Sequence, residues 1–145
     1  MNDFEFSIQS DAITLQWQAD ALSVKLPAGY AAVTAGLLKA GKATAYDVEM
    51  MIYRIEEIIE SDAAVKRVKG DAVCRDQLLK QVCDSYLAGA TVIEPVALEA
   101  AFNQLADSLS YSALMITAEK IPLLSCFVII REMIHHLDIR KITCL

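Results

Sequence analysis

The first 26 residues alternate apolar and polar positions as β-strands do. Phe4, Phe6 and Ile8 fall on one face, Ile13, Leu15 and Trp17 repeat the period, and Leu22, Val24 and Leu26 repeat it again. Ser10-Asp11 and Ala19-Asp20 lie between the runs as turn signals. The pattern predicts three short antiparallel strands in a meander, stopped by Pro27 and Gly29. From Tyr30 the period becomes helical: Tyr30, Val33, Leu37 and Leu38 form one face, which Gly41 ends. Thr44 suits an N-cap, with Asp47 three residues on as the other half of a capping box. The next helix puts Val48, Met51, Ile52, Ile55, Ile58 and Ile59 on one stripe. Asp47, Glu49, Arg54, Glu56, Glu57 and Glu60 fall outside it, as a solvated face.

Residues 64–69 fit two readings. Val65 and Val68 among Lys66, Arg67 and Lys69 make either an edge strand or an extension of the helix before, and Gly70-Asp71 then breaks the chain. Leu78, Leu79, Val82, Cys83, Tyr86 and Leu87 form another amphipathic helix, ended by Gly89. Pro95 opens the next, with Leu98, Ala101, Phe102, Leu105 and Leu109 inward. Thr117 or Pro122 starts a last helix, apolar over most of its circumference as far as His135-His136. Lys141 to Leu145 has the length and composition of a closing strand, where a single domain spanning 1–145 is expected to end. A meander followed by helix-linked strands predicts an α/β fold with a mixed sheet, its last strand parallel to the first.

Composition narrows the function more than it names one. The 145 residues suffice to bury a core without a disulfide or metal staple. Hydrophobic residues at 55% exceed the ~45–50% of ordinary domains, so apolar surface is expected to remain for a partner. A net charge of −6 without a dense Lys/Arg run excludes the footprint of a nucleic-acid or anionic-membrane binder. Residues 1–62 carry that whole excess of acid. The apolar run Ile121–Ile130 falls short of the ~20 residues of a membrane helix, and Met1–Ser10 has no basic n-region. A cytoplasmic location is expected.

Candidate chemistry is sparse. Cys74, Cys83, Cys126 and Cys144 show neither a C-x-x-C pair nor metal-finger spacing, and read as four buried, reduced thiols. His135 and His136 are adjacent, about 100° apart on a helix, and cannot share one metal; near a helix C-terminus they complement its dipole. Phosphate-loop, dinucleotide, zinc-protease and serine-hydrolase motifs are all absent, and the five glycines are scattered. The residues therefore assign no catalytic group, no cofactor and no metal.

The order of segments does resemble a known family. Leu22-Ser23-Val24-Lys25-Leu26-Pro27-Ala28-Gly29-Tyr30, followed by a helix, is similar to the S-x-x-L-P-x-G segment of the exopolyphosphatase and guanosine pentaphosphate phosphohydrolase (Ppx/GppA) family. Thr117-Ala118-Glu119-Lys120, an apolar helix, and then His136 to Thr143 look like that family's last helix and strand. The resemblance covers nearly the whole chain. It implies a ribonuclease-H-like lobe, the second of the two lobes of the actin, heat-shock chaperone and sugar-kinase architecture.

The same resemblance marks losses. Where the family carries a D-I-G-G-G-S turn that binds phosphate and helps hold metal, this chain has Ser7-Ile8-Gln9-Ser10-Asp11-Ala12, with Asp11 where phosphate would go. The second phosphate loop maps to Lys69-Gly70-Asp71-Ala72-Val73 and keeps one glycine. The G-x-L-R-E-G segment and the other lobe, with its catalytic carboxylate, are expected to be missing. Lys69, Gly70 and Arg75, with Lys66 and Arg67 nearby, remain as candidate phosphate contacts. The resemblance thus implies a non-catalytic binding or structural module with a degenerate site; the alternative is a phosphohydrolase half-site needing a separate first lobe. The all-round apolar last helix adds an expected homodimer, or a protein partner in place of the missing lobe.

Overall fold

A computed structural model describes residues 2–19 and 21–145, so the turn signal at Asp20 lies outside the described residues. The meander forms as the alternation predicts: β1 (Phe4–Ile8), β2 (Ile13–Trp17) and β3 (Ser23–Leu26) pair antiparallel, with Phe6 opposite Leu15 and Leu15 opposite Val24. The chain continues through α1 (Tyr30–Thr34), β4 (Lys42–Ala43), α2 (Ala45–Glu60), β5 (Lys69–Cys74), α3 (Gln77–Tyr86), β6 (Val92–Ile93), α4 (Pro95–Tyr111), β7 (Leu114–Met115), α5 (Ile121–His136) and β8 (Asp138–Cys144). Six strands make one mixed sheet in the order β3-β2-β1-β5-β8-β6, and β4 and β7 form a separate two-stranded ribbon. β5 lies parallel to β1 and to β8, so the terminal strand runs parallel to the first, one strand away.

The steps from β1 to β5 and from β5 to β8 run the same way across the sheet. Right-handed crossovers therefore put their helices on one face. Phe4, Phe6, Ile8, Ile13, Leu15, Val24 and Leu26 are buried on that face, while Gln16, Ser23 and Lys25 are exposed on the other. The centre of the core is α5. Every residue from Leu123 to Ile130 is buried, because α1, α2, α3 and α4 all pack around the helix. Phe127 stacks on Tyr86 at 4.2 Å between ring centroids. The all-round apolar surface of this helix is thus covered within the chain, each large side chain contributing roughly 1.5–3 kcal/mol.

Several elements depart from the sequence expectation, each for a local reason. Residues 64–69 are neither an edge strand nor an extension of α2. Asp62 caps a 3-10 turn over Ala63–Arg67 by accepting from Ala64 N at 2.9 Å, and β5 begins only at Lys69. Gly70-Asp71 does not break the chain but lies inside β5. The register shifts there, with Gly70 opposite Ile139 and Asp71 opposite Lys141, which leaves Arg140 as the extra residue of a bulge. Gly70 takes φ +94°, and Arg140 turns onto Asp71. The helix from Tyr30 is a turn and a half rather than running to Gly41: Leu38 and Gly36 adopt positive φ, and Arg54 Nη1 donates to the carbonyls of Val33 and Ala35 at 3.1 and 2.7 Å. Asp47, placed outside by the sequence pattern, is buried in a complete capping box with Thr44.

Candidate functional site

In an open α/β sheet the place for a ligand is beyond the carboxyl ends of the parallel strands. β1 and β5 lie side by side, with Phe6 opposite Cys74, so Ile8 and Asp76 emerge together at that edge. Asp76 is the residue before α3, but its carboxylate does not cap its own helix. Instead Oδ2 accepts from Ile8 N at 2.7 Å and Oδ1 from Ser7 Oγ at 2.8 Å. A negatively charged oxygen of the protein thereby takes the strand-end amide at the start of a helix, the position that favours a bound anion.

The β1–β2 turn closes the rest of this edge. Gln9 N donates to Ala12 O at 2.8 Å, and the first amides of α1, Tyr30 N and Ala31 N, donate to Gln9 O and Ser10 O at 2.9 and 3.1 Å. Buried Gly29 permits this approach: a Cβ there would lie 1.9 Å from Gln9 O and 2.7 Å from Ala12 N. Asp11 sits exposed in the turn. The carboxylate at the strand-end amide is Asp76, a residue the sequence reading passed over. An aspartate directly before the Gln77-Leu78-Leu79 run signals an N-cap, but nothing local shows its reach to β1, 68 residues back.

The residues singled out for phosphate do not converge. The stretch Lys69–Val73, expected as a loop, is strand β5, and about 20 Å of strand separates Lys69 from Arg75. Lys69 and Gly70 lie at the amino edge, in a 310 Å³ groove with Asp3, Asp138 and Arg140. Asp71 N donates to Asp3 Oδ2 at 2.8 Å, and Asp3 N donates back to Asp71 O at 2.7 Å. Arg140 grips Asp71 with two bonds of 2.7 and 2.6 Å, which hold that carboxyl below the usual carboxylate range. Arg75 lies on the sheet face away from the helices, beside Glu5 at 3.4 Å, with 63% of its side chain exposed. Lys66 and Arg67 line a groove with Asp3 and Trp17, again away from the carboxyl edge.

Charge is also concentrated at the end of α5. Arg131 donates to Glu99 through Nε and Nη2 at 3.2 and 3.0 Å and to buried Glu132 through Nη1 at 2.6 Å, and its guanidinium lies 4.2 Å from the Phe102 ring centre. These bonds hold the Glu99 carboxyl below its ordinary value. The two histidines go separate ways: His135 faces Glu99 at 3.2 Å, and His136 faces Glu132 at 3.3 Å and Glu56 at 3.9 Å. Glu56, Glu132 and His136 each bring one donor atom within 4.8 Å of the others, the grouping here that comes nearest to a metal-ligand set. Arg131 already engages one Glu132 oxygen; its pair with Glu99 ties α5 to α4, and His136 brings α5 against Glu56 of α2.

These elements define a single-lobe α/β fold of the actin-like class. No family model matches the chain, and no curated protein is similar to it. Solved structures are similar. The Aquifex aeolicus PPX-GPPA enzyme superposes with a TM-score of 0.71 at 10% identity, over 97% of this chain and 52% of that one. The type II variant of the Ppx/GppA phosphatase from the same organism gives 0.69 at 10% identity, with the same coverage of both chains. An exopolyphosphatase-like protein gives 0.65 at 10% identity, over 97% of this chain and 53% of that one. The chain spans about half the length of the solved structures it matches, and shares their fold over that half. Among the described residues, no helix is long and apolar enough to cross a membrane.

Proposed function

We propose that this chain is a non-catalytic binding or structural module, built on an exopolyphosphatase-type second lobe whose phosphate position its own carboxylate fills. One observation carries the reading: Asp76 accepts both the Ile8 amide and the Ser7 hydroxyl at the carboxyl edge. A phosphate there would lose those donors and meet a like charge. The rival, a half-site completed by a separate first lobe, draws on the half-length match to the solved structures. It needs cations at the same edge, whereas Lys66, Arg67 and Lys69 lie towards the other one, and Arg75, at the carboxyl end of β5, turns to Glu5 on the face away from the helices. A phosphate-release assay with polyphosphate and guanosine polyphosphates, across Mg²⁺, Mn²⁺ and Zn²⁺, tests the proposal. It predicts release no faster than from heat-inactivated protein; release that saturates with substrate overturns it.

Partnership is the second part of the proposal: a homodimer, or a protein seated where a first lobe would be, with no nucleic acid, no membrane and a cytoplasmic setting. With α5 covered, the apolar surface available for it among the described residues includes Tyr46 and Tyr53 on α2, Val96 and Tyr111 on α4, and Met115, with Val92 and Leu145 less exposed. Light scattering on a size-exclusion column reads the self-association directly. A mass near twice 15.9 kDa supports the homodimer, and a mass of 15.9 kDa at high micromolar concentration removes it.

A further inference from the structure

Of the four cysteines, Cys74, Cys83 and Cys126 are buried, but Cys144 is half-exposed, a correction to the expectation of four buried thiols. Cys83 lies on α3 and Cys144 ends β8, 61 residues apart in sequence, with their sulfurs 3.4 Å apart. Both backbones are anchored. Cys83 O accepts from Leu87 N and Gly89 N at 2.9 and 3.0 Å, Cys144 N donates to Thr91 O at 2.9 Å, and Leu145 N donates to Cys74 O at 2.9 Å. A disulfide needs the sulfurs to close by about 1.4 Å from this contact.

We propose that Cys83 and Cys144 form a reversible disulfide under hydrogen peroxide, stapling the end of β8 to α3. The pair divides the labour of a redox sensor. Cys144 is the less buried of the two, and its thiol is held below its ordinary value by the hydrogen bond it shares with Cys83, with Lys80 adding to the effect. Cys83 is the buried member, pushed up by the contact with Cys144 and by burial, and its place 3.4 Å from the Cys144 sulfur makes it the resolving thiol. Burial raises Cys74 and Cys126 as well and leaves them inert.

The Cys144 thiolate attacks one peroxide oxygen. The O–O bond breaks, hydroxide leaves and takes up a proton to become water, and Cys144 is left as the sulfenic acid. The Cys83 sulfur then attacks the sulfenic sulfur; the S–O bond breaks and the second water departs with the Cys83 proton. Two thiols and one peroxide give one disulfide and two waters, the sulfur pair losing the two electrons that the peroxide gains. This inference does not depend on the proposed function.

The full chain is treated with hydrogen peroxide, quenched with catalase, unfolded in guanidinium chloride so that the buried thiols are reachable, and alkylated with iodoacetamide before and after dithiothreitol. The proposal predicts that two of the four thiols are lost to alkylation and regained on reduction, with one cross-linked peptide joining Cys83 to Cys144. The oxidised protein should melt at a higher temperature than the reduced one. In Cys144→Ser all three remaining thiols should stay alkylatable, whereas Cys74→Ser should still form the cross-link. Four alkylatable thiols after peroxide, a cross-link between any other pair, or irreversible oxidation of Cys144 overturns the proposal; because the wild-type chain supplies each of these readings, a variant that fails to fold does not obscure them.

Discussion

The two ends of the β1/β5 pair are tied by the same device and left in opposite states. At the amino edge Asp3 of one chain segment accepts the amide of Asp71 in β5; at the carboxyl edge Asp76 accepts the amide of Ile8 in β1. The difference lies in what surrounds the carboxylate. Asp71 beside Asp3 is neutralised by the two bonds from Arg140, and Lys69 lies in the same groove, so the amino edge is polar, open and locally balanced. The acceptor pair of Asp76 meets neutral donors, at a helix start whose dipole already favours negative charge. In the proposed function a carboxylate at that point stands where an anionic ligand would, and the turn around Gly29 takes up the neighbouring amides. The edge where a ligand is expected from the fold is the one the protein has closed with its own groups.

Glycine substitutions break this comparison most sharply. Gly29 has φ −128°, which any residue adopts, so Gly29→Ala tests steric closure alone. Its Cβ would meet the backbone oxygen of Gln9 at 1.9 Å, which only a shift of the turn relieves. A loss of about 3 kcal/mol or more is expected in urea unfolding. Asp76→Ala comes next: it leaves the Ile8 amide and Ser7 hydroxyl without their acceptor, at a cost of about 2 kcal/mol in the same experiment. Gly70→Ala probes the open edge. Its Cβ would crowd the Asp3 carboxylate that accepts the Asp71 amide, so the cost of the φ of +94°, about 1–2 kcal/mol, comes with displacement of that side-chain acceptor. A larger loss at Gly70 than at Gly29 would reverse the account of which edge is closed.

The smallest effect is acid sensitivity. The carboxyls of Asp71 and Glu99 are held below the usual carboxylate range by their arginine partners, Arg140 and Arg131. A carboxyl group with a depressed folded value contributes stability that is complete above its unfolded value and fades as pH falls through the folded one. Stability read from urea midpoints should therefore be flat from pH 7 down to about 5 and decline below 4.5. Because Arg140 and half of this surface face water, the decline is shallow, and Arg140→Gln should flatten it further.

The meander and helices α2, α3 and α4 were legible in the sequence because their signals are local: period-two alternation, a Thr44–Asp47 cap, Pro95 at a helix start. What escaped reading depends on distant partners. Gly70-Asp71 looks like a break until Arg140, 69 residues on, neutralises Asp71 across a bulge. The candidate site shows the same split. The absence of glycines between the first two strands is visible in Ser7–Ala12, but the group that accepts the strand-end amide is Asp76, and its role exists only once β5 lies beside β1. Lys69 and Arg75 looked like neighbours along the chain; a six-residue strand sets them at opposite edges.

The central claim is that Asp76 occupies the anion position. Its most direct test is a ¹H–¹⁵N correlation spectrum of the full chain titrated with sodium tripolyphosphate in the presence of Mg²⁺. The account predicts that the amides of Ile8, Gln77 and Leu78 keep their shifts through millimolar ligand. Saturable movement of the Ile8 amide together with the first amides of α3 would contradict it, showing that the carboxylate yields its place and that this edge of the sheet still binds phosphate.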